Sequence, residues 1–256
     1  MTATTHHDHI NQKFSSQAGA YLTSAVHAGG QDLPRLAARL AAQPQAKVLD
    51  LGCGAGHASF AAAAQVAHVT AYDLSASMLD IVTRAADEKG LHNISTQQGY
   101  AECLPFDDAS FDVVISRYSA HHWNDVGQAL REARRVLTPG GAIIIMDVIS
   151  TGHPVRDIWL QTVEALRDPS HVKNYASGEW LAFANDAGFI TDSLITDRLP
   201  LEFSSWIARM RTPQMLSDAI RLYQQSASQE VKAYFELQDD GTFTSDIVMF
   251  EAHKAG

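Results

Sequence analysis

The sequence has only two cysteines in 256 residues, Cys53 and Cys103, and neither C-x-x-C spacing nor a dense pattern links them. A disulfide framework is excluded, and reduced thiols in a reducing compartment are the expectation. Basic charge is also scarce: 19 Lys and Arg against 29 Asp and Glu give a formal charge of −10. No window gathers the cations into a stripe, which argues against nucleic acid as a partner. No apolar run approaches the ~20 residues that a bilayer-spanning helix needs, so no integral membrane contact is expected. Met1 to His9 lack the basic and apolar regions of a secretory leader, so the expected location is the cytoplasm. What remains, 46% apolar and 19% charged residues, is enough to bury a full core.

From Lys47 onward, short β-branched runs alternate with amphipathic stretches, the pattern of parallel strands joined by crossover helices. Strands are predicted at Lys47 to Leu51, His68 to Tyr72, Ile94 to Gln98, Phe111 to Ser116 and Ala142 to Val148. Between the second and third, Ser75 can cap a helix that turns Met78, Leu79 and Val82 inward and stops at Gly90. Between the fourth and fifth, Val126, Leu130, Ala133 and Leu137 keep helical spacing until Pro139-Gly140-Gly141 breaks it. Residues 1–45 read as helices ahead of the 46–150 core. Residues 151–256 add long helical stretches, broken by Pro169, Pro200 and Pro213, that are candidates for a lid and an acceptor pocket. No repeat or low-complexity linker separates these parts, so one domain over 1–256 is expected.

The most informative run is Val48-Leu49-Asp50-Leu51-Gly52-Cys53-Gly54-Ala55-Gly56, an apolar strand that ends in an acid and opens into a glycine turn. Glycine permits positive φ and lets a ligand approach the backbone without an intervening Cβ. His57 stands where a dinucleotide fingerprint has its third glycine, which disfavours a pyrophosphate. Asp50, just ahead of the loop, would repel a diphosphate but suit a ligand carrying an ammonium and a sulfonium. Asp73 closes the second strand about 20 residues on, where a carboxylate can accept two ribose hydroxyl hydrogens.

On these residues the chain resembles the class I S-adenosylmethionine-dependent methyltransferases of the ubiquinone and menaquinone C-methyltransferase type (methyltransferase type 11). The resemblance implies a Rossmann-like, doubly wound α/β fold. Its seven-stranded sheet would be mostly parallel with the last strand antiparallel, under an N-terminal helical cap and with helical insertions in the C-terminal half. It also implies S-adenosylmethionine as cofactor, S-adenosylhomocysteine as its product, and a cofactor site at Asp50, Gly52, Gly54, Gly56 and Asp73. Leu74 and Met78 would follow the ribose acid, with Met78 packed on the adenine. The adenine-side motif is present as Gly99-Tyr100-Ala101-Glu102-Cys103-Leu104-Pro105-Phe106, in which Tyr100 replaces the acid that relatives use to bind the adenine amino group. Backbone groups of Ala101 and Glu102 would serve there, and the Arg117 carbonyl would face the methionine ammonium. Phe14, Ala18 and Tyr21 match a helix that folds over the cofactor in relatives, and their spacing puts them on one face.

Methyl transfer from a sulfonium is an in-line displacement, so positioning can supply most of the catalysis. If a base is needed, the candidates are His121 and His122, just after the fourth strand, where open α/β sheets place their ligands. Of these His122 is the catalytic candidate, together with Tyr21. His6, His7 and His9 read as an exposed polar tail rather than a metal site, and Asp147 lacks the acid-and-amide pair that would make it a ligand, so no metal is expected. The Asn-Pro-Pro-Tyr signature of adenine and glutamine-amide methylation is not matched by Ser116-Arg117-Tyr118-Ser119, and the Pro-Cys of cytosine methylation is also missing; with the negative net charge this disfavours nucleic acid, and a small-molecule acceptor is the expectation. Trp159, Tyr175, Trp180, Phe203, Trp206 and Tyr223 suit an aromatic or lipid-like one, or simply a packed core. Arg209, Arg211 and Lys173 suit an anionic group on it, or a solvated charged face. Two other functions compete: a nicotinamide-dependent oxidoreductase, opposed by Asp50 and His57, and a non-catalytic cofactor-binding module, for which Tyr100 is the one hint.

Overall fold

The computed structural model describes residues 5–8, 10 and 29–255. One seven-stranded sheet organises them, in the order β3-β2-β1-β4-β5-β7-β6. Its strands are β1 (Lys47–Leu51), β2 (His68–Asp73), β3 (Ile94–Gln98), β4 (Phe111–Arg117), β5 (Leu137–Ile149), β6 (Phe189–Leu201) and β7 (Phe243–Lys254). The first five pair in parallel, whereas β7 runs antiparallel to both β5 and β6. This is the doubly wound, mostly parallel α/β sheet expected from the sequence.

Both faces of the sheet are covered, and the period of two along each strand sorts the side chains between them. Leu49, Leu51, Val114, Ile143 and Ile145 point to one face, under α4 (Val126–Val136) and α6 (Ser177–Ala187). Val48, Val113, Ile115, Ile144 and Met146 point to the other, under α1 (Asp32–Leu40) and α2 (His57–Ala63). Between β2 and β3 runs α3 (Ala76–Glu88), which buries Met78, Leu79 and Val82 as its spacing predicts. A third cluster gathers α5 (Pro154–Arg167), α7 (Phe203–Met210), α8 (Gln214–Ser226) and α9 (Gln229–Tyr234) around Trp159, Trp206, Phe235 and Phe243.

Two expectations need correction. The fifth strand starts at Leu137 rather than Ala142: Leu137 pairs with Phe111, and the ladder shifts register at Phe111/Val113 before pairing resumes at Ala142. Gly140, at φ +74°, lies in that irregular stretch. Pro200 does not break a helix but lies in β6, paired with Thr244. This is the edge of the sheet, where a strand tolerates a residue that has no N–H to donate. Among the described residues no helix is long and apolar enough to cross a membrane.

Candidate functional site

Strand order reverses between β1 and β4, and there the carboxyl ends of the parallel strands leave a crevice. The cavity at this point encloses about 960 Å³, its open mouth included. Gly52, Gly54 and Gly56 all take positive φ, at +74°, +51° and +89°. Their reasons differ, which the sequence did not disclose. A Cβ on Gly52 would lie 1.9 Å from Ser119 Oγ and one on Gly56 2.9 Å from Phe60 Cζ, whereas one on Gly54 would meet nothing within 4 Å. Only at Gly54 would a Cβ find open space; the other two make room for the chain's own side chains. Gly52 and Gly54 line the cavity, but Gly56 is not part of its wall.

The two acids also divide. Asp50 is fully buried and stands behind the cavity wall rather than in it. Its Oδ2 accepts from Ser59 Oγ at 2.5 Å, while Oδ1 has no hydrogen-bond partner. Burial, with the nearby Asp73 charge adding to it against the Ser59 bond, pushes its carboxyl up to about 7. Asp73 lies on the wall itself. Its Oδ2 accepts from the Gly54 N–H and its Oδ1 from the Ser75 N–H, each at 2.8 Å. The carboxylate thus fastens the glycine loop and the start of α3 together, and burial holds its pKa above the usual carboxylate value.

Around Asp73, Leu74, Met78, Tyr100, Ala101 and Glu102 complete one end of the cavity. Glu102 Oε1 accepts the Asn124 and Asp125 N–H groups, at 2.9 and 3.3 Å, and so ties the loop after β3 to the loop after β4. Tyr72 braces the same loop from below, its hydroxyl donating to the Tyr100 carbonyl at 3.1 Å.

The other end is built by β4. Arg117 lines the cavity and forms a buried ion pair with Asp32 at the start of α1, the two side chains being 4% and 5% exposed. The chain then turns sharply through Tyr118, at φ +50°, into the 3-10 turn Ala120–His122. Here the histidines separate. His121 is not on the cavity wall; its Nδ1–H donates to Asp147 Oδ1 at 2.6 Å. Burial opposes its charge, yet Asp147, by charge and hydrogen bond, together with Glu164 and Asp168 holds the pKa above the ordinary histidine value. Asp147, whose Oδ2 accepts the Ala120 N–H at 3.0 Å, is thus an anchor for this turn. His122 does line the cavity. Its Nδ1 faces the Ser170 carbonyl at 3.0 Å; a carbonyl only accepts, so Nδ1 carries the hydrogen and Nε2 is left unprotonated. Burial, with His121 alongside, lowers its pKa to about 4.

Several predicted residues fall elsewhere. Phe14, Ala18, Tyr21 and His9 lie outside the described residues. Trp159, Trp180 and Trp206 are buried in the core clusters, with Tyr175, Phe203 and Tyr223 packed against them, and none lines the cavity. Lys173 is paired with Glu179 at 2.5 Å, and neither Arg209 nor Arg211 reaches the cavity wall. The reading of His6 and His7 as an exposed tail is corrected: both are half-buried and touch the site. Among the described residues no group of His, Cys, Asp and Glu is arranged to hold a metal ion. The Asp32 partner of Arg117 and the roles of Ser119, Ser170 and Trp123 went unread, since each depends on a contact between distant segments.

A family model described as "Methyltransferase domain" matches residues 49–145, which span β1 to β5. The chain is 69% identical over 204 residues to the uncharacterized protein YafE of Escherichia coli, covering 80% of this chain and 99% of that one. It is 36% identical over 222 residues to the uncharacterized methyltransferase YcgJ of Bacillus subtilis, covering 87% of this chain and 88% of the other. The crystal structure of YcgJ superposes with a TM-score of 0.84 at 32% identity, over 88% of this chain and 98% of that one.

Proposed function

The chain belongs to the methyltransferase family that these relatives represent, and from that premise we propose that it transfers a methyl group from S-adenosylmethionine to a small-molecule acceptor. The reading rests on one observation, the junction of Asp73 with Gly54. A carboxylate that holds two backbone N–H groups sits on the cavity wall, beside a glycine whose missing Cβ leaves open space. Each oxygen retains a lone pair, so the pair can still accept two neighbouring ribose hydroxyls. Leu74 and Met78 offer an apolar wall to the adenine, and the backbones of Ala101 and Glu102 offer it polar edges. Behind the loop, Asp50 Oδ1 has no hydrogen-bond partner, and a cationic ligand would draw this carboxyl, held up to about 7 by burial, into its ionised form. The residues present fit the cofactor, with Tyr21 proposed to cover it.

When bound, S-adenosylmethionine supplies an electrophilic methyl group on a positively charged sulfur. The chain's own part is chiefly placement. Asp32 holds the Arg117 side chain, so the end of β4 is fixed where its carbonyl can meet an ammonium. His122 lines the cavity with Nδ1 on the Ser170 carbonyl and Nε2 3.9 Å from Asp168 Oδ2, and stays neutral at physiological pH, so its ring is placed to orient an acceptor O–H or N–H. A pKa near 4 makes it a weak base, so orientation of the nucleophile outranks proton removal in this scheme. Two unpaired thiols, Cys53 and Cys103, agree with action in the cytoplasm.

Calorimetric titration of wild type and Asp73→Ala with S-adenosylmethionine and S-adenosylhomocysteine, with NAD as control, tests the reading. Binding of the first two that collapses in the variant supports it. Failure of the wild type to bind either one sinks it.

A further inference from the structure

The first described residues form a capped turn. The Thr5 N–H and Oγ1 both donate to Asp8 Oδ2, at 3.0 and 2.7 Å, and the Asp8 N–H donates back to Thr5 Oγ1 at 3.2 Å. This reciprocal cap fixes the entry of a helix, and His6, His7, Asp8 and Ile10 are helical. A separation of three residues puts His7 and Ile10 on one helical face, and both line the cavity.

This turn touches two walls of the cavity that are otherwise far apart in sequence. On the β4 side, His6 Nε2 donates to the His122 carbonyl at 3.2 Å, and His7 Nε2 lies 2.9 Å from Asn124 Nδ2. On the β3 side, the His7 and Tyr100 ring centroids are 4.4 Å apart at an interplanar angle of 35°, and Glu102 Oε2 is 3.7 Å from His7 Nε2. Tyr100 is 45% exposed, so its ring is a rim group that needs a partner to form part of an enclosure. His7 is that partner.

We propose that His7 is a ligand-retaining residue: packed on Tyr100, it closes the Asp73 end of the cavity over a planar heteroaromatic ring and slows the ligand's departure. This rests on the reading that the cavity binds S-adenosylmethionine. An aromatic pair of this kind adds a modest increment beyond burial, so removing it should act on the dissociation rate and leave the bound pose intact.

The test is the dissociation rate of radiolabelled S-adenosylhomocysteine, chased with unlabelled ligand, from the full chain with an untagged N-terminus. His7→Ala should dissociate roughly 3- to 10-fold faster. His7→Phe, which keeps an aromatic ring against Tyr100, should restore the slow rate, and Tyr100→Ala should add little to His7→Ala. An unchanged rate in His7→Ala overturns the proposal, as does a faster rate that phenylalanine fails to rescue or that Tyr100→Ala increases further in full. If the wild type binds no S-adenosylhomocysteine, the methyltransferase reading fails first and this inference falls with it.

Discussion

Asp73 Oδ2 accepts the Gly54 N–H at 2.8 Å, so the acid at the end of β2 and the glycine turn after β1 are one structural unit. Asp73→Ala would remove both a loop anchor and a hydroxyl acceptor. Loss of a charged hydrogen-bond acceptor costs about 1.5–3 kcal/mol, a drop in cofactor affinity of roughly ten- to a hundredfold. Asp73→Asn should lose less, because its amide oxygen can still receive one N–H. Titration calorimetry on the two variants reads the difference, and equal affinity in all three proteins would refute it.

Two of the loop glycines, Gly54 and Gly52, should respond to alanine in different ways. At Gly54 the added methyl meets no atom, so the expected cost to stability is the ~1–2 kcal/mol of a left-handed alanine, with a larger loss of ligand affinity. At Gly52 the methyl collides with Ser119, so Gly52→Ala should lower the melting temperature more than Gly54→Ala does. Thermal unfolding without ligand checks the order of the two.

Arg117 and Asp32 offer a test of how α1 is held. Asp32→Ala leaves a buried guanidinium without its carboxylate and should destabilise the chain by about 3–5 kcal/mol. The double variant Asp32→Leu, Arg117→Met should recover much of that loss, since it removes both buried charges. Chemical denaturation of the three proteins is the measurement.

Asp50 gives a stability that depends on pH. Its folded pKa of about 7 lies above the ordinary carboxylate value of about 4, so between these the folded state keeps a proton that the unfolded chain has released. Stability from this group therefore falls as pH rises through that window and levels off above about 7. His122 and His171 act in the opposite sense: burial lowers their pKa to about 4 and about 2, so their stability is lost as pH falls below the ordinary histidine value. Comparing Asp50→Asn with wild type isolates the carboxyl. The variant should gain stability relative to wild type as pH is raised from 5 to 8, and a constant difference would contradict the assignment.

His122→Ala is expected to lower turnover on the order of tenfold to a hundredfold while S-adenosylhomocysteine affinity stays near wild type. Turnover equal to wild type with a responsive acceptor would remove His122 from the chemistry.

The legible parts of this molecule were local ones. The run from Val48 to Gly56, the acid Asp73 and the turn at Ala120 to His122 carry their meaning within a few residues, and the cavity gathers residues from all three. Leu137 misled because it continues the helical spacing of Val126, Leu130 and Ala133 while its backbone already pairs with Phe111. β6 hid behind Pro200 and a mostly exposed, polar face, which an edge strand permits. Arg117 and Asp32 stand 85 residues apart, and no periodicity links them. The cap Thr5-His6-His7-Asp8, by contrast, was there to be read: threonine followed three residues later by an acid is a helix-start signal.

Trp123 donates its Nε1–H to Ser119 Oγ at 3.1 Å, and Ser119 occupies the space where Gly52 has no Cβ. Of the four tryptophans in the chain, it is the one that lines the cavity. The other three sit deep in the packed clusters, away from anything that enters. The molecule therefore carries its own optical probe: a change in indole emission on adding a ligand belongs to Trp123 and reports the glycine turn without any label.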